Sequence, residues 1–577
     1  MPPLIDKTNP LFELVQFYKT HERIVFSCVI FLGSWLVIWP FHNQFLWPPD
    51  EGAYAYVADL INRGFVLNRD VQDVHLGYVN FTNALSLRVF GDSFSSMRYP
   101  LVFMTAMQSS LIAYLFYPNG RLLSVVSALV LSSLSFIQFV NPTANWYALF
   151  LVCLTIFYLH KSPMDGVKTF VLAGFLLGLL FCYRQLSGVW AAIGVVSYLL
   201  RQNESTDNLF GKETWLARFI LSIFLFVILW YLVKKTDYWG VILYGIWPVL
   251  LLVAQIYKCN TCNRASMSLV RYMMLGGLLS IVPLIIYHAW HGSIAVWFSD
   301  VFLSAIKLTD MEFFNRRMYG NMLVFSFMQV FSMDLSASLN GLFWFVLSVS
   351  PAILGVSAAA CVVKDKKIPA LGYVAAFYML VSAHYQIPIY IFYSTPLVLV
   401  GVLWLARGYG SVRRLWCCLM VIISFVGLYY QAAQPLSRGV GGIMTGVRSD
   451  TNTLCKVEFC DVYIEPEMAD LYKNIVLVVE SYTSESDAVL SIPFNPEINY
   501  LTKRVSPLRY YNLALGIHDE LSLERAVESI GSMKTKLVFY DSYDKYNTRL
   551  VGGVMEHVRQ QYSFLGYLGK LEVYVLE

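Results

Sequence analysis

Charge is scarce in this sequence. Asp, Glu, Lys and Arg make up 14% of its 577 residues while hydrophobic residues reach 57%, against about 25% charge in soluble globular chains. So little charge excludes a soluble enzyme of several domains, a fibrous protein and a disordered chain. No internal repeat and no low-complexity tract interrupts the pattern. The first apolar run is not expected to act as a cleavable leader: Asp6, Glu13 and Glu22 precede it, and Trp39-Pro-Phe-His42 follows it without a small-residue cleavage site. Cys259 and Cys262 form a CxxC with no second pair nearby, and a structural zinc needs four ligands. Cys28, Cys153, Cys182, Cys361, Cys417 and Cys418 fall in or at apolar segments, as small buried hydrophobes do.

The charge that is present is unevenly spread. Residues 434–577 hold 14 Lys+Arg and 19 Asp+Glu, a net charge of −5, and residues 1–433 hold 28 and 19, a net charge of +9. The expected organisation is a polytopic membrane region, 1–433, followed by a soluble α/β unit, 434–577. Apolar runs long enough to cross a bilayer are read at 24–41, 98–117, 121–140, 143–159, 168–183, 187–200, 215–233, 239–257, 270–290, 340–363, 369–385, 388–406 and 413–432, about 13 helices in all.

Basic residues gather in alternate connections: Lys7, Lys19 and Arg23; Arg121; Lys161 and Lys168; Arg201 and Lys212; Lys258, Arg264 and Arg271; Lys364, Lys366 and Lys367; Arg407, Arg413 and Arg414. By the positive-inside rule these are cytoplasmic, with the N-terminus, and the acidic tail lies outside. Cys455 and Cys460 then meet an oxidising compartment and are expected to form a disulfide.

Two outer connections, about 41–99 and 291–340, are too long to be simple links. Apolar residues recur in them at helical spacing: Ala53, Val57, Leu60 and Ile61; Val79, Leu85, Leu87 and Val89; Val296, Val301, Phe302 and Ala305. Gly64 and Gly91 are placed as helix stops. Amphipathic helices lying at the membrane interface are expected here. In the tail, Asp519 to about Gly531 and Arg549 to Tyr562 read as helices, and Lys536–Tyr540 and Leu571–Leu576 as strands.

The first long connection carries Asp50-Glu51-Gly-x-Tyr54-x-Tyr56-x-Ala58, closing on Arg63-Gly64, then Arg69-Asp70, then Phe90-Gly-Asp-Ser93 before Met97-Arg98. This run resembles the first outer loop of the GT-C superfamily of glycosyltransferases. More closely, it is similar to the branch of protein O-mannosyltransferase-like bacterial enzymes that includes the lipid A aminoarabinose transferases. The tail segment from Ile492 through Asn499-Tyr500 to Arg504-x-x-Pro507-x-Arg509-Tyr510 resembles the soluble part of such proteins.

The resemblance implies a GT-C-type membrane fold in a bacterial inner membrane with a periplasmic tail. It implies transfer of a sugar, with inversion, from a polyprenyl-phosphate carrier to a lipid, glycan or protein acceptor. Membrane lipid is a further partner, and nucleic acid is not one. On this reading Asp50 is the general base, and Glu51 orients it or joins it in holding a divalent metal. Leaving-group phosphate needs cations, for which Arg184 and the Arg316-Arg317 pair are the candidates. Asp70, His75, His384 and Tyr385 are expected to contact substrate. Asp70, Asp73 and His75 are also the candidate ligands of a metal near Asp50, although their spacing is no recognised signature and no cofactor is required by the resemblance. Asn141 and Asn145 stand where relatives place an acid. The alternative is a secondary transporter or flippase of an amphiphilic or lipid-linked substrate, which would place ionisable residues near the bilayer midplane. The sequence keeps its charges at the ends of the spans instead.

Overall fold

The computed structural model describes residues 10–162, 166–203, 214–310, 318–431 and 452–577. Helices occupy every expected span. Eight are long and apolar enough to cross a membrane: His21–Phe41, Ser95–Asn119, Arg121–Gln138, Trp215–Lys235, Tyr238–Lys258, Asn263–Trp290, Leu335–Val363 and Gly410–Tyr429. Val167–Tyr183, Ala370–Ala383 and Thr395–Ala406 are shorter apolar helices, and Ala144–Lys161 and Gln185–Gln202 complete the set. Large apolar side chains on the outer helices, among them Leu36, Phe226, Val233 and Ile286, stay exposed, as they do where lipid is the solvent. The chain is an integral membrane protein.

The basic connections meet one another. Arg201 and Lys258 both pair with Asp365, at 3.2 and 2.8 Å. Arg121 pairs with Glu22, and Arg23 and Lys161 both stack on Tyr114. The spacing of basic loops in the sequence therefore corresponds to shared ends in the folded bundle.

The long connections hold helices, and the first is not interfacial throughout. Pro48–Asn62 ends just before Gly64 and Tyr78–Phe90 just before Gly91, both glycines at positive φ as helix stops require. Leu85, Val89 and Phe90 remain exposed, as an interfacial helix demands. Pro48–Asn62, by contrast, buries Glu51, Gly52, Ala53 and every residue from Ala55 to Leu60. The cause is the tail, whose helix Pro496–Thr502 lies against it. Gly52 permits that approach, since a Cβ there would collide with Glu497.

In the second long connection, Ile294–Phe298 and Ala305–Asp310 flank a π-helical turn, Ser299–Ser304. An apolar helix, Tyr319–Val330, follows and folds back on Leu335–Val363. It was absent from the sequence expectation because its Gly, Asn and Gln dilute the apolar run.

The tail carries a four-stranded sheet of β1 (Val489–Ile492), β2 (Leu537–Asp541), β3 (Ser563–Leu568) and β4 (Leu571–Val575). Its order is β1-β2-β4-β3, with β1 and β2 parallel and the other pairs antiparallel. Helices Glu520–Ser532 and Arg549–Gln561 pack beside it as expected, and Cys455 and Cys460 form the disulfide. The expected boundary at 433/434 lies outside the described residues. Val489, Ile498, Tyr500, Leu537 and Phe539 of the tail share one buried core with Leu46, Tyr56, Val57, Leu60 and Met97, so tail and first connection fold on each other.

Buried Glu497 sits in that seam. Burial raises its carboxyl to about 8 from the ordinary 4.5, and its Oε2 has no hydrogen-bond partner. The folded chain thus holds a proton that the unfolded chain loses. The associated stability is complete below about 4.5 and is lost as pH rises to about 8. Glu497→Gln is expected to flatten this decline, measured as thermal unfolding midpoints across that range.

Candidate functional site

Asp50 occupies the first turn of Pro48–Asn62, where the helix dipole favours an acid. It is exposed although residues of five segments surround it, so it lines a recess open to solvent. Lys545 and His75 act on its charge, and its own charge acts on Tyr54, Tyr390, Tyr393, Tyr511 and Tyr546. No described side chain donates it a hydrogen bond. The surrounding protein disfavours its charge and pushes the carboxyl above the ordinary carboxylate range, against the pull of Lys545 and His75.

Arg184 enters the same recess from the membrane side. It is the junction of Val167–Tyr183 and Gln185–Gln202, held extended so that one helix ends on it and the next begins. Its Nη2 donates to the Tyr390 hydroxyl at 3.3 Å, and Tyr54 and Tyr393 lie close enough to feel its charge. No carboxylate pairs with it among the described residues. A guanidinium enclosed by phenols and left without a counter-ion is suited to an anion brought by a ligand.

The recess is walled by aromatics. Tyr385, Tyr390 and Tyr393 meet edge to face in sequence, Tyr385–Tyr390 at 5.3 Å and Tyr390–Tyr393 at 5.2 Å between centroids. His384 accepts or donates at Nδ1 to the Tyr231 hydroxyl, 2.8 Å away, and lies within reach of the Arg184 charge. Burial holds the Tyr54, Tyr511 and Tyr546 hydroxyls protonated, so they remain donors. Beside Tyr54, whose hydroxyl reaches Thr143 at 3.4 Å, Asn141 is fully buried with both side-chain polar atoms unpartnered, and Asn145 leaves its Oδ1 so. These orphaned amides are the groups a bound polyhydroxylated ligand would satisfy.

The expected site residues separate into two groups. Asp50, His75, Arg184, His384 and Tyr385 converge on the recess. Glu51 does not join them: both its oxygens are taken by fully buried Arg98, at 2.7 and 2.6 Å. Arg98 spends its other donors on the carbonyls of His42, Gln44 and Phe45. Asp70 is likewise outside, bonded to Arg69 and to the Val66 amide. Arg316 and Arg317 lie outside the described residues.

With Glu51 and Asp70 committed elsewhere, no three His, Cys, Asp or Glu side chains among the described residues form a group that could hold a metal.

Sequence reasoning missed Lys545, Tyr546 and Tyr511, all from the tail. Nothing local marks them, and only docking of the tail brings them to Asp50. It also missed Asp300, which accepts from Asn68, Gln72 and Arg509, the last at 2.7 Å. That buried knot ties together both long connections and the tail. Much of the motif that carried the resemblance does similar work: Lys503 bridges Asp59 and Asp92 at 3.0 and 2.7 Å, Tyr500 donates to Asp92, and Tyr56 accepts from the Ser506 amide.

Fold and site together define an integral membrane protein with an acid and a cation set about the same three tyrosines, Tyr54, Tyr390 and Tyr393, beside a docked tail. Two solved structures are similar along almost the whole chain: ArnT from Cupriavidus metallidurans in the apo state and the same protein bound to undecaprenyl phosphate. Each is 10% identical, with a TM-score of 0.38, covering 96% of this chain and 98% of that one. No protein-family profile matches the chain, and no curated protein matches it.

Proposed function

We propose that this chain is a membrane glycosyltransferase that moves a sugar from a polyprenyl-phosphate carrier to an acceptor hydroxyl, with inversion. The observation that carries the reading is that the same three phenols, Tyr54, Tyr390 and Tyr393, lie within range of both the Asp50 carboxylate and the Arg184 guanidinium. Arg184 takes the donor phosphate and stabilises the charge that grows on it as the sugar leaves. Asp50 takes the proton of the attacking hydroxyl; its raised carboxyl pKa makes it a stronger base than a free carboxylate. Asn141, Asn145 and the tyrosine walls hold the sugar. The acceptor is a lipid, glycan or protein presented under the tail.

The same reading sets about 13 crossings, with the N-terminus and basic loops in the cytoplasm. Residues 1–433 form the catalytic membrane region, and 434–577 a soluble unit on the outer, periplasmic face of a bacterial inner membrane.

The test is lipid binding. Arg184→Gln in nanodiscs is expected to weaken binding of undecaprenyl phosphate by about 10–100-fold, the worth of charge-assisted hydrogen bonds, and to leave binding of neutral undecaprenol unchanged. Equal affinity of the wild-type protein for the two lipids would remove the carrier assignment.

A further inference from the structure

The helix Ala144–Lys161 begins at a point that packing leaves unfinished. Thr143 holds the N-cap position, yet its side chain bonds no backbone amide of the first turn. Its Oγ1 accepts instead from Asn145 Nδ2 at 3.2 Å and from the Tyr54 hydroxyl at 3.4 Å. The Asn145 amide is thereby folded back over the helix start, with its Oδ1 buried and unpartnered among the described residues. Asn141, whose carbonyl accepts from the Thr143 amide at 2.7 Å, is fully buried, and both its side-chain polar atoms are unpartnered as well. Leaving these amide atoms bare so close together is costly unless a ligand meets them.

Contacts on both sides fix the place of this helix start. Tyr54 stands one turn from Asp50 on Pro48–Asn62, so the two side chains share a face. On the other side Trp146 meets Tyr393 edge to face at 4.8 Å, and Tyr393 meets Tyr390 at 5.2 Å. The Tyr390 hydroxyl accepts from Arg184 Nη2 at 3.3 Å. The helix start therefore lies between the proposed base and the proposed phosphate cation, where the sugar of a donor has to sit. Tyr54 and Arg184 are half-buried, so the spot is reached from the recess.

Its chemistry is selective. Tyr54, Asn141, Thr143 and Asn145 offer uncharged hydroxyls and amides, which donate and accept as sugar hydroxyls do. The free amides of the first helical turn add positive potential, and Arg184 adds a full charge. An ammonium group placed here would meet two fields of its own sign. The nearby carboxylates do not offset this: Asp73 is held by His75 and Tyr511, and Asp50 is needed by the acceptor.

We infer that the start of Ala144–Lys161 is the subsite for the donor sugar, that it takes an uncharged polyhydroxylated ring in preference to an amino sugar, and that Asn145 sets the choice. The inference rests on the reading of Arg184 as the phosphate site.

Lipid binding to the full chain in nanodiscs tests it, with no acceptor present, so that a glycan acceptor cannot answer in the donor's place. Undecaprenyl-phosphate glucose is expected to bind about 10-fold more tightly than undecaprenyl phosphate, the worth of one or two new hydrogen bonds. It is expected to exceed its 2-amino and 4-amino analogues by a similar factor where their amines are charged. Asn145→Leu is expected to remove the gain from glucose and keep the affinity for undecaprenyl phosphate. Asn145→Asp, an acid that a first helical turn favours, is expected to reverse the order, so that the amino analogues bind about 10-fold more tightly than glucose.

The subsite is overturned if glucose adds nothing in the wild-type protein, or if the amino analogues bind as tightly. It is equally overturned if the gain survives Asn145→Leu or the order survives Asn145→Asp. In each of these cases the carrier reading stands as long as undecaprenyl phosphate outbinds undecaprenol. Equal binding of those two lipids removes that reading and the subsite with it.

Discussion

Asp50→Asn is expected to cut sugar transfer by about 10²–10⁴-fold, the range for removal of a general base, with undecaprenyl phosphate still bound. The amide keeps the shape of the side chain and its place in the first helical turn, and no described hydrogen bond is lost, because none is made. What goes is, among the described residues of the recess, the carboxylate left free to accept a proton: Asp73 is engaged by His75 and Tyr511, and Glu51 by Arg98. Turnover is read as release of undecaprenyl phosphate, alongside lipid binding and unfolding midpoint for the same preparation. Proton- or ion-coupled uptake by proteoliposomes of the wild-type protein, without such release, would instead establish the transporter alternative.

The second large effect falls on stability. Arg98 and Glu51 have no exposed side-chain surface and face each other through two hydrogen bonds. Removing one member leaves the other charged, buried and unpaired, which costs about 3–5 kcal/mol. Arg98→Ala also strands the carbonyls of His42, Gln44 and Phe45. The variant is expected to unfold or lose the docked tail, seen as a large fall in unfolding midpoint and new protease cleavage in the tail. Arg98→Ala with Glu51→Gln should be less harmful than Arg98→Ala alone, since no bare charge remains. A catalytic Glu51 would predict normal stability with lost turnover.

This outcome shows why the sequence is informative about some of the site and silent about the rest. Spans are legible because bilayer thickness fixes their length and charge is expelled from them, and each expected run is helical, although 388–406 divides into Pro388–Phe392 and Thr395–Ala406. Asp50 and Arg184 were legible as charges at the ends of apolar runs, where ionisable groups are costly unless used. Glu51 and Asp50 are adjacent and chemically alike, yet neighbours on a helix point about 100° apart. One turns to the recess and the other to Arg98, 47 residues on, and no local pattern reports that choice. Interfacial placement of Pro48–Asn62 failed for a related reason. Its amphipathic spacing is real, but helix Pro496–Thr502, more than 430 residues later, covers what would have been its wet face. Lys545 and Tyr546 reach Asp50 only through that docking, and Asp300 meets Asn68, Gln72 and Arg509 only once both connections and the tail come together.

The claim that Asp50 and Arg184 form one transfer site is tested most directly by a density map of the full chain in nanodiscs with undecaprenyl phosphate bound. The account predicts phosphate density at hydrogen-bond distance from the Arg184 guanidinium, inside the walls of Tyr54, Tyr390 and Tyr393, with the Asp50 carboxylate facing it across a gap that admits a sugar. Phosphate density at any other end of the bundle, with the recess empty, would contradict it.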